Sequence, residues 1–237
     1  MVDRREMLAR LNPQTVRFDV GQGGGAPSLT TSDIAAALGM VPAGLGREVM
    51  EAVYLPDGAI RHRGKLAEAV LAIVRPEFIR RARELAEAED DLSFSKEMVS
   101  LSRRSPSDAQ RRILRDREAA VVLARAQAWP KNTYQHLSRM VDAVVLELAS
   151  GNRCPTCIGA GIVNDMGCKD CRCTGIEPAP DRRRALAMGC DPSDYPKRWK
   201  GVFEWLLGEL HQSSDRAAKQ LSRALSNRDL GEEPRAA

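Results

Sequence analysis

Aromatic side chains are scarce: the 237 residues include three Trp, three Tyr and four Phe. A core poor in rings is assembled from Leu, Val, Ile and Ala, and that composition favours packed helices over sheets. Histidine is scarcer still. His62, His136 and His211 are scattered, and none sits in a Ser/Asp pattern that would suggest triad chemistry. There is no phosphate loop and no dinucleotide fingerprint, so neither an enzyme nor a small-molecule binder is expected. No apolar run reaches membrane-spanning length, so no membrane partner is expected either. Met1-Val-Asp-Arg-Arg-Glu6 leads into no apolar segment, so a cytoplasmic location is expected.

What is present is ordinary in bulk. Hydrophobic residues make up 43% and charged residues 29%, a balance typical of soluble globular chains. The length allows one elaborate domain or two small ones. The formal charge of +4 is a mild basic bias that permits a nucleic-acid partner.

The cysteines are the sharpest signal. Cys154, Cys157, Cys168 and Cys171 form two C-x-x-C knuckles, each followed by a glycine-bearing turn. A tetrahedral zinc ion takes four thiolates, and each knuckle supplies two from one tight turn. Turn glycines let backbone N–H groups point at the sulfurs. Disulfides would need an oxidising compartment, and a redox C-x-x-C belongs at a helix start in a βαβ setting that is not visible here. One Zn2+ held by these four residues leaves no open position, so the expected role is structural. Cys173 reads as a small residue in a tight turn rather than a fifth ligand. Cys190 reads as a small buried residue.

The spacing predicts a mainly α protein: a helical domain with an embedded four-cysteine zinc finger and a C-terminal helix-turn-helix. Residues 1–28, with Gly21 to Ser28 at their end, read as a flexible tail. The helical domain is placed at 29–150, the finger at 151–177, the helix-turn-helix region at 178–227, and a polar tail at 228–237. Within the first domain, Thr30 to Met40 and Leu45 to Tyr54 read as two short helices, the second weakened by Gly44 and Gly46. Together they resemble a helix-turn-helix pair whose expected role is core packing, with DNA reading as the alternative. Leu66, Val70, Ile73 and Val74 mark a helix that Pro76 ends or restarts, running on through Leu85 to an acidic stretch at 87–91. Ser105-Pro106 reads as a cap and first turn, and that helix stops near Trp129-Pro130. Asn132 caps the next, which carries Leu137, Met140, Val141, Val144, Val145 and Leu148 to Gly151. Beyond the finger, a short helix ends at Gly189, a turn follows, and Tyr195 to Leu210 forms a longer helix. Trp199 and Trp205 fall on its apolar side. A last helix is placed at Asp215 to Leu225.

Charge gathers in that C-terminal region. Arg182, Arg183, Arg184, Lys197, Arg198 and Lys200 face only Asp191 and Asp194, an excess equal to the +4 of the whole chain. Lys197, Arg198 and Lys200 fall at the N-terminal end of the second helix. In a helix-turn-helix that end enters the major groove. These six basic residues are the candidate DNA contacts.

In three stretches the chain resembles the late-gene antitermination Q proteins of lambda-type phages. Thr31-Ser-Asp33-Ile-Ala-Ala-Ala-Leu-Gly-Met40, with Gly44-Leu-Gly46 after it, is similar to the family's N-terminal segment. The knuckles Cys154-x-x-Cys157-x-Gly159-x-Gly161 and Cys168-x-x-Cys171-x-x-x-Gly175 resemble its zinc finger. Arg184-Ala-Leu-Ala-Met188 and Pro196-x-x-Trp199 through Leu210 resemble its C-terminal helix-turn-helix. These cover about half the chain. The segment between the knuckles is shorter than in the family, and Cys173 replaces a glycine. The resemblance implies binding to double-stranded DNA in a late promoter and loading onto a paused host RNA polymerase, with contacts to the sigma factor and the beta flap. Suppression of termination in the bacterial host cytoplasm would follow. Three other readings are a repressor or activator acting only at initiation, a thiol enzyme, and a chaperone-like module. Against the last, the chain has only two such knuckles, the second with Cys173 in place of a glycine, and no His-Pro-Asp.

Overall fold

Apolar residues at three- and four-residue spacing fold as helices throughout. The computed structural model describes residues 31–55, 63–101, 105–149 and 154–229. The expected tails at 1–28 and beyond 229, the stop at Gly151 and His62 lie outside the described residues. Among them no helix is long and apolar enough to cross a membrane.

Helices α1 (Thr31–Met40) and α2 (Leu45–Tyr54) come first. Gly39 lies inside α1. Val49 and Met50 of α2 are fully buried. Gly46 has a packing reason that its weak helix propensity hides: a Cβ there would lie 2.4 Å from the carbonyl oxygen of Ser213. Only glycine lets α2 come this close to the last helix.

Helix α3 runs unbroken from Arg63 to Leu101, with Pro76 inside it. The expected break does not occur. Proline removes one backbone hydrogen bond and crowds the preceding turn, but buried Leu66, Val70 and Val74 hold the helix before it. After it, Glu77 accepts hydrogen bonds from Arg80 and Arg81. Helix α4 (Asp108–Gln127) is capped by Ser107, not Ser105. The Ser107 side chain accepts from the Gln110 amide, and the Gln110 side chain accepts from the Ser107 amide. Both serines precede plausible helix starts, and the reciprocal pair with Gln110 decides between them.

Helix α5 (Thr133–Ala149) buries the expected stripe. Its start is organised by Thr133, whose hydroxyl donates to the Pro130 carbonyl at 2.6 Å. A two-residue antiparallel hairpin follows, β1 (Ile162–Val163) with β2 (Met166–Gly167). Then come α6 (Asp181–Met188), a π-turn over Tyr195–Trp199, and α7 (Lys200–Asp229). The separate last helix at Asp215 to Leu225 is instead the outer part of α7, because Leu210, Ala217, Ala218, Leu221 and Leu225 continue one buried face.

One apolar core crosses the expected boundary between the helical and C-terminal regions. It joins Val49, Leu66, Val70, Met140, Val144 and Leu148 to Ala185, Tyr195, Trp199, Phe203 and Leu210. A second cluster ties Ile34, Leu38, Val41 and Met50 to Ala217, Leu221 and Leu225. Trp199 is buried, while Trp205 is half-buried and meets Trp129 edge-on at 4.9 Å. The outer half of α3 and the whole of α4 pair as an antiparallel hairpin, in which Val121 is the one buried residue of α4.

Candidate metal centre and its basic flank

Cys154, Cys157, Cys168 and Cys171 are all buried, and their sulfurs lie within 4.8 Å of one another. Cys154 Sγ is 4.0 Å from Cys168 Sγ, and Cys157 Sγ is 3.6 Å from Cys171 Sγ. Thiolates at ~2.3 Å from a tetrahedral ion stand ~3.8 Å apart. The cluster therefore has the dimensions of a four-thiolate metal site, with each knuckle contributing two sulfurs.

The knuckles are near copies of one another. In each, the residue after the second cysteine has positive φ, Ile158 at 52° and Arg172 at 53°. In each, the fourth residue after it donates its amide to that cysteine's sulfur. Gly161 N–H reaches Cys157 Sγ at 3.2 Å, and Gly175 N–H reaches Cys171 Sγ at 3.3 Å. The knuckles also close on each other: Cys154 N–H donates to the Gly175 carbonyl and Cys168 N–H to the Gly161 carbonyl, both at 2.9 Å. A side chain on Gly175, at φ 70°, would meet the Gly159 carbonyl oxygen at 2.4 Å, so the closure needs glycine there.

Electrostatics within the cluster point the same way. Burial pushes the Cys171 thiol up to about 12, the other thiols reinforcing it. Burial also opposes ionisation of Cys157, yet the Gly161 amide and the thiols of Cys171 and Cys154 draw it down to about 7. Four thiols this close resist ionising together unless a cation joins them. The donor set suits a soft, thiolate-binding metal, and four ligands would leave it no open position.

Cys173 sits at φ 66° in the position that Gly159 occupies in the first knuckle, exposed and outside the cluster. Cys190 is half-buried, its thiol directed at the Ala185 carbonyl at 3.6 Å.

The six basic residues of the flank do not behave alike. Arg182, Arg183, Lys197 and Arg198 are exposed. Arg198 lies 5.8 Å over the Trp199 ring and 4.0 Å from Asp194. Lys200 is half-buried and paired with Asp181 at 2.9 Å. That pair ties the first turn of α6 to the start of α7, while Lys197 and Arg198 lie in the π-turn just before it.

Arg184 departs from the expectation. It is 5% exposed, donates to both carboxylate oxygens of Glu147 at 2.8 and 2.5 Å, and lies 4.9 Å over Phe203. Glu147 is itself 7% exposed and also accepts the Ala179 amide at 3.2 Å. Arg184 is therefore not a surface contact. It clamps α6 to α5. Burial works against its charge, but the bonds to Glu147 prevail and raise its proton affinity. Counting charges along the sequence cannot see a partner at Glu147, although a carboxylate set between Val144 and Leu148 on an apolar face hints that a cation must answer it.

A cleft of about 210 Å³ lies where the cysteine module meets α6 and α7. Of its charged lining residues, Arg184 pairs with Glu147, Arg172 with Glu204 and Lys200 with Asp181, while Asp170 accepts from the Thr156 hydroxyl. No family model, curated protein or solved structure matches this chain.

Proposed function

We propose that this chain is a phage late-gene antitermination factor. In this reading one structural Zn2+ is bound by Cys154, Cys157, Cys168 and Cys171, and Arg182, Arg183, Lys197 and Arg198 engage double-stranded promoter DNA. The observation that supports the DNA reading is the exposure of Arg182 and Arg183 at the start of α6 and of Lys197 and Arg198 in the π-turn that opens the next helical segment, at its N-terminal end. A helix-turn-helix presents such an end to the groove and to phosphates. The polymerase step rests on the resemblance to the lambda-type Q proteins, and on a rigid metal module beside the basic end that gives a second partner a surface.

The DNA part is tested by fluorescence anisotropy on random-sequence duplexes over a salt series, followed by selection of a preferred site from a pool. Affinity should fall with salt, with a slope of about −0.9 per neutralised phosphate. Alanine at Lys197 and Arg198 should make that slope shallower by about one per lost phosphate contact, or relax the selected site at one position. Arg184 should contribute no phosphate contact. Salt-independent binding, or an unchanged slope in the double variant, would move the DNA surface elsewhere.

A further inference from the structure

The α3–α4 hairpin carries surface that the body of the protein does not use. Along the outer half of α3, Leu85, Ala88, Leu92, Ser95 and Val99 are half-buried at alternating three- and four-residue spacing. That is a coiled-coil seam, and α4 faces it. A second stripe lies off the seam: Phe94, Met98 and Leu101, at i, i+4 and i+7, are 65%, 52% and 70% exposed. The Arg117–Asp91, Lys96–Glu118 and Arg125–Glu89 ion pairs tie the two antiparallel helices together, and α4 adds Ile113, itself 51% exposed. Large apolar side chains clustered in water near the tip of an arm mark an interaction site.

Charge identifies the occupant. From Glu84 to Leu101, α3 carries six acids and one lysine, whereas α4 carries five arginines and three acids. Most of these pair within the hairpin. Among the described residues, Asp90 and Glu97 on α3, and Arg112, Arg115 and Asp116 on α4, show no ion-pair partner. The surplus is acidic on one helix and basic on its neighbour. A second copy related by a two-fold axis sets α3 against α4 and answers both surpluses at once.

We propose that this arm is a self-association surface, through which two copies of the chain form an antiparallel four-helix bundle around Phe94, Met98 and Leu101. The arm is ~30 Å long and two helices wide, so the face it offers is of the order of the ~800 Å² per partner in a standard interface. The proposal stands apart from the DNA reading and survives its failure.

Sedimentation analysis of the full, metal-loaded chain should show a dimer that dissociates on dilution. F94E/M98E should weaken it at least ~30-fold, the scale of a central anchor lost, with unchanged circular dichroism and metal content. A complementary pair of variants gives a signature that a foreign partner cannot. D90K/E97K and R112E/R115E should each be mostly monomeric alone, and an equimolar mixture should restore a heterodimer. A wild-type chain that stays monomeric at about 100 μM would overturn the proposal and assign the stripe to another protein. So would a dimer indifferent to these substitutions, or a mixture that fails to reassociate.

Discussion

Replacing Arg184 with alanine leaves the Glu147 carboxylate buried without its cation. Breaking one side of a buried pair costs about 3–5 kcal/mol, mostly for the stranded charge. R184A and E147A should therefore each lower thermal stability sharply, and R184M/E147L should recover much of the loss. Equal stability of R184A and wild type in urea titration would contradict the clamp. The cysteines make a second residue-scale prediction. Serine at Cys154, Cys157, Cys168 or Cys171 should reduce bound zinc to well below one per chain, whereas C173S should keep it full. Metal analysis of purified protein reads both. The four-cysteine cluster is legible because two turns of fixed spacing carry the whole of it. The role of Arg184 was not, because its partner lies 37 residues away on a helix read only for its apolar stripe.

At the scale of elements, helix positions followed from apolar periodicity, while their ends depended on competing local signals. Ser105 and Ser107 both precede plausible starts, and the Gln110 side chain selects Ser107. S107A should destabilise the chain by about 1 kcal/mol, and S105A by less. Equal effects of the two would argue against the observed cap. Pro76 was a plausible break, but helix on both sides of it is held by packing before and by Glu77 after. Glu77 also shapes the acid limit. Hydrogen bonds from Arg80, with Arg81 assisting and burial opposing, hold its carboxyl down from an ordinary 4.5 to about 2. A depressed acid lends stability that is fully present above its unfolded value and lost as pH falls through the folded one. Its contribution should fade from about pH 4.5 towards 2, and E77Q should flatten that part of the stability–pH curve. The same group acts at a distance, because Arg81 reaches the Gln127 carbonyl at 2.7 Å and stacks 5.0 Å from Trp129. An acid limb equally steep in E77Q would remove Glu77 from this role.

For the whole molecule, the sequence suggests a boundary at the cysteine module, yet one core spans both sides of it. Helix α7 explains why. Its first turns pack with α5 and α6, and its outer turns pack against α1 and α2. A local pattern cannot show that one helix serves two clusters. The cysteine module is thus set in a fixed frame, with α5 before it and α6 clamped back onto α5 by Arg184. That frame suits the proposed role of holding DNA and polymerase in one geometry. The most direct test of this account is single-round transcription by bacterial RNA polymerase across an intrinsic terminator. The promoter should carry the duplex that the protein selects from the random pool, with an unrelated promoter in parallel. The account predicts read-through only from the promoter bearing the selected site, and only with metal-loaded protein. Changed initiation without read-through, or equal read-through from both promoters, would contradict it.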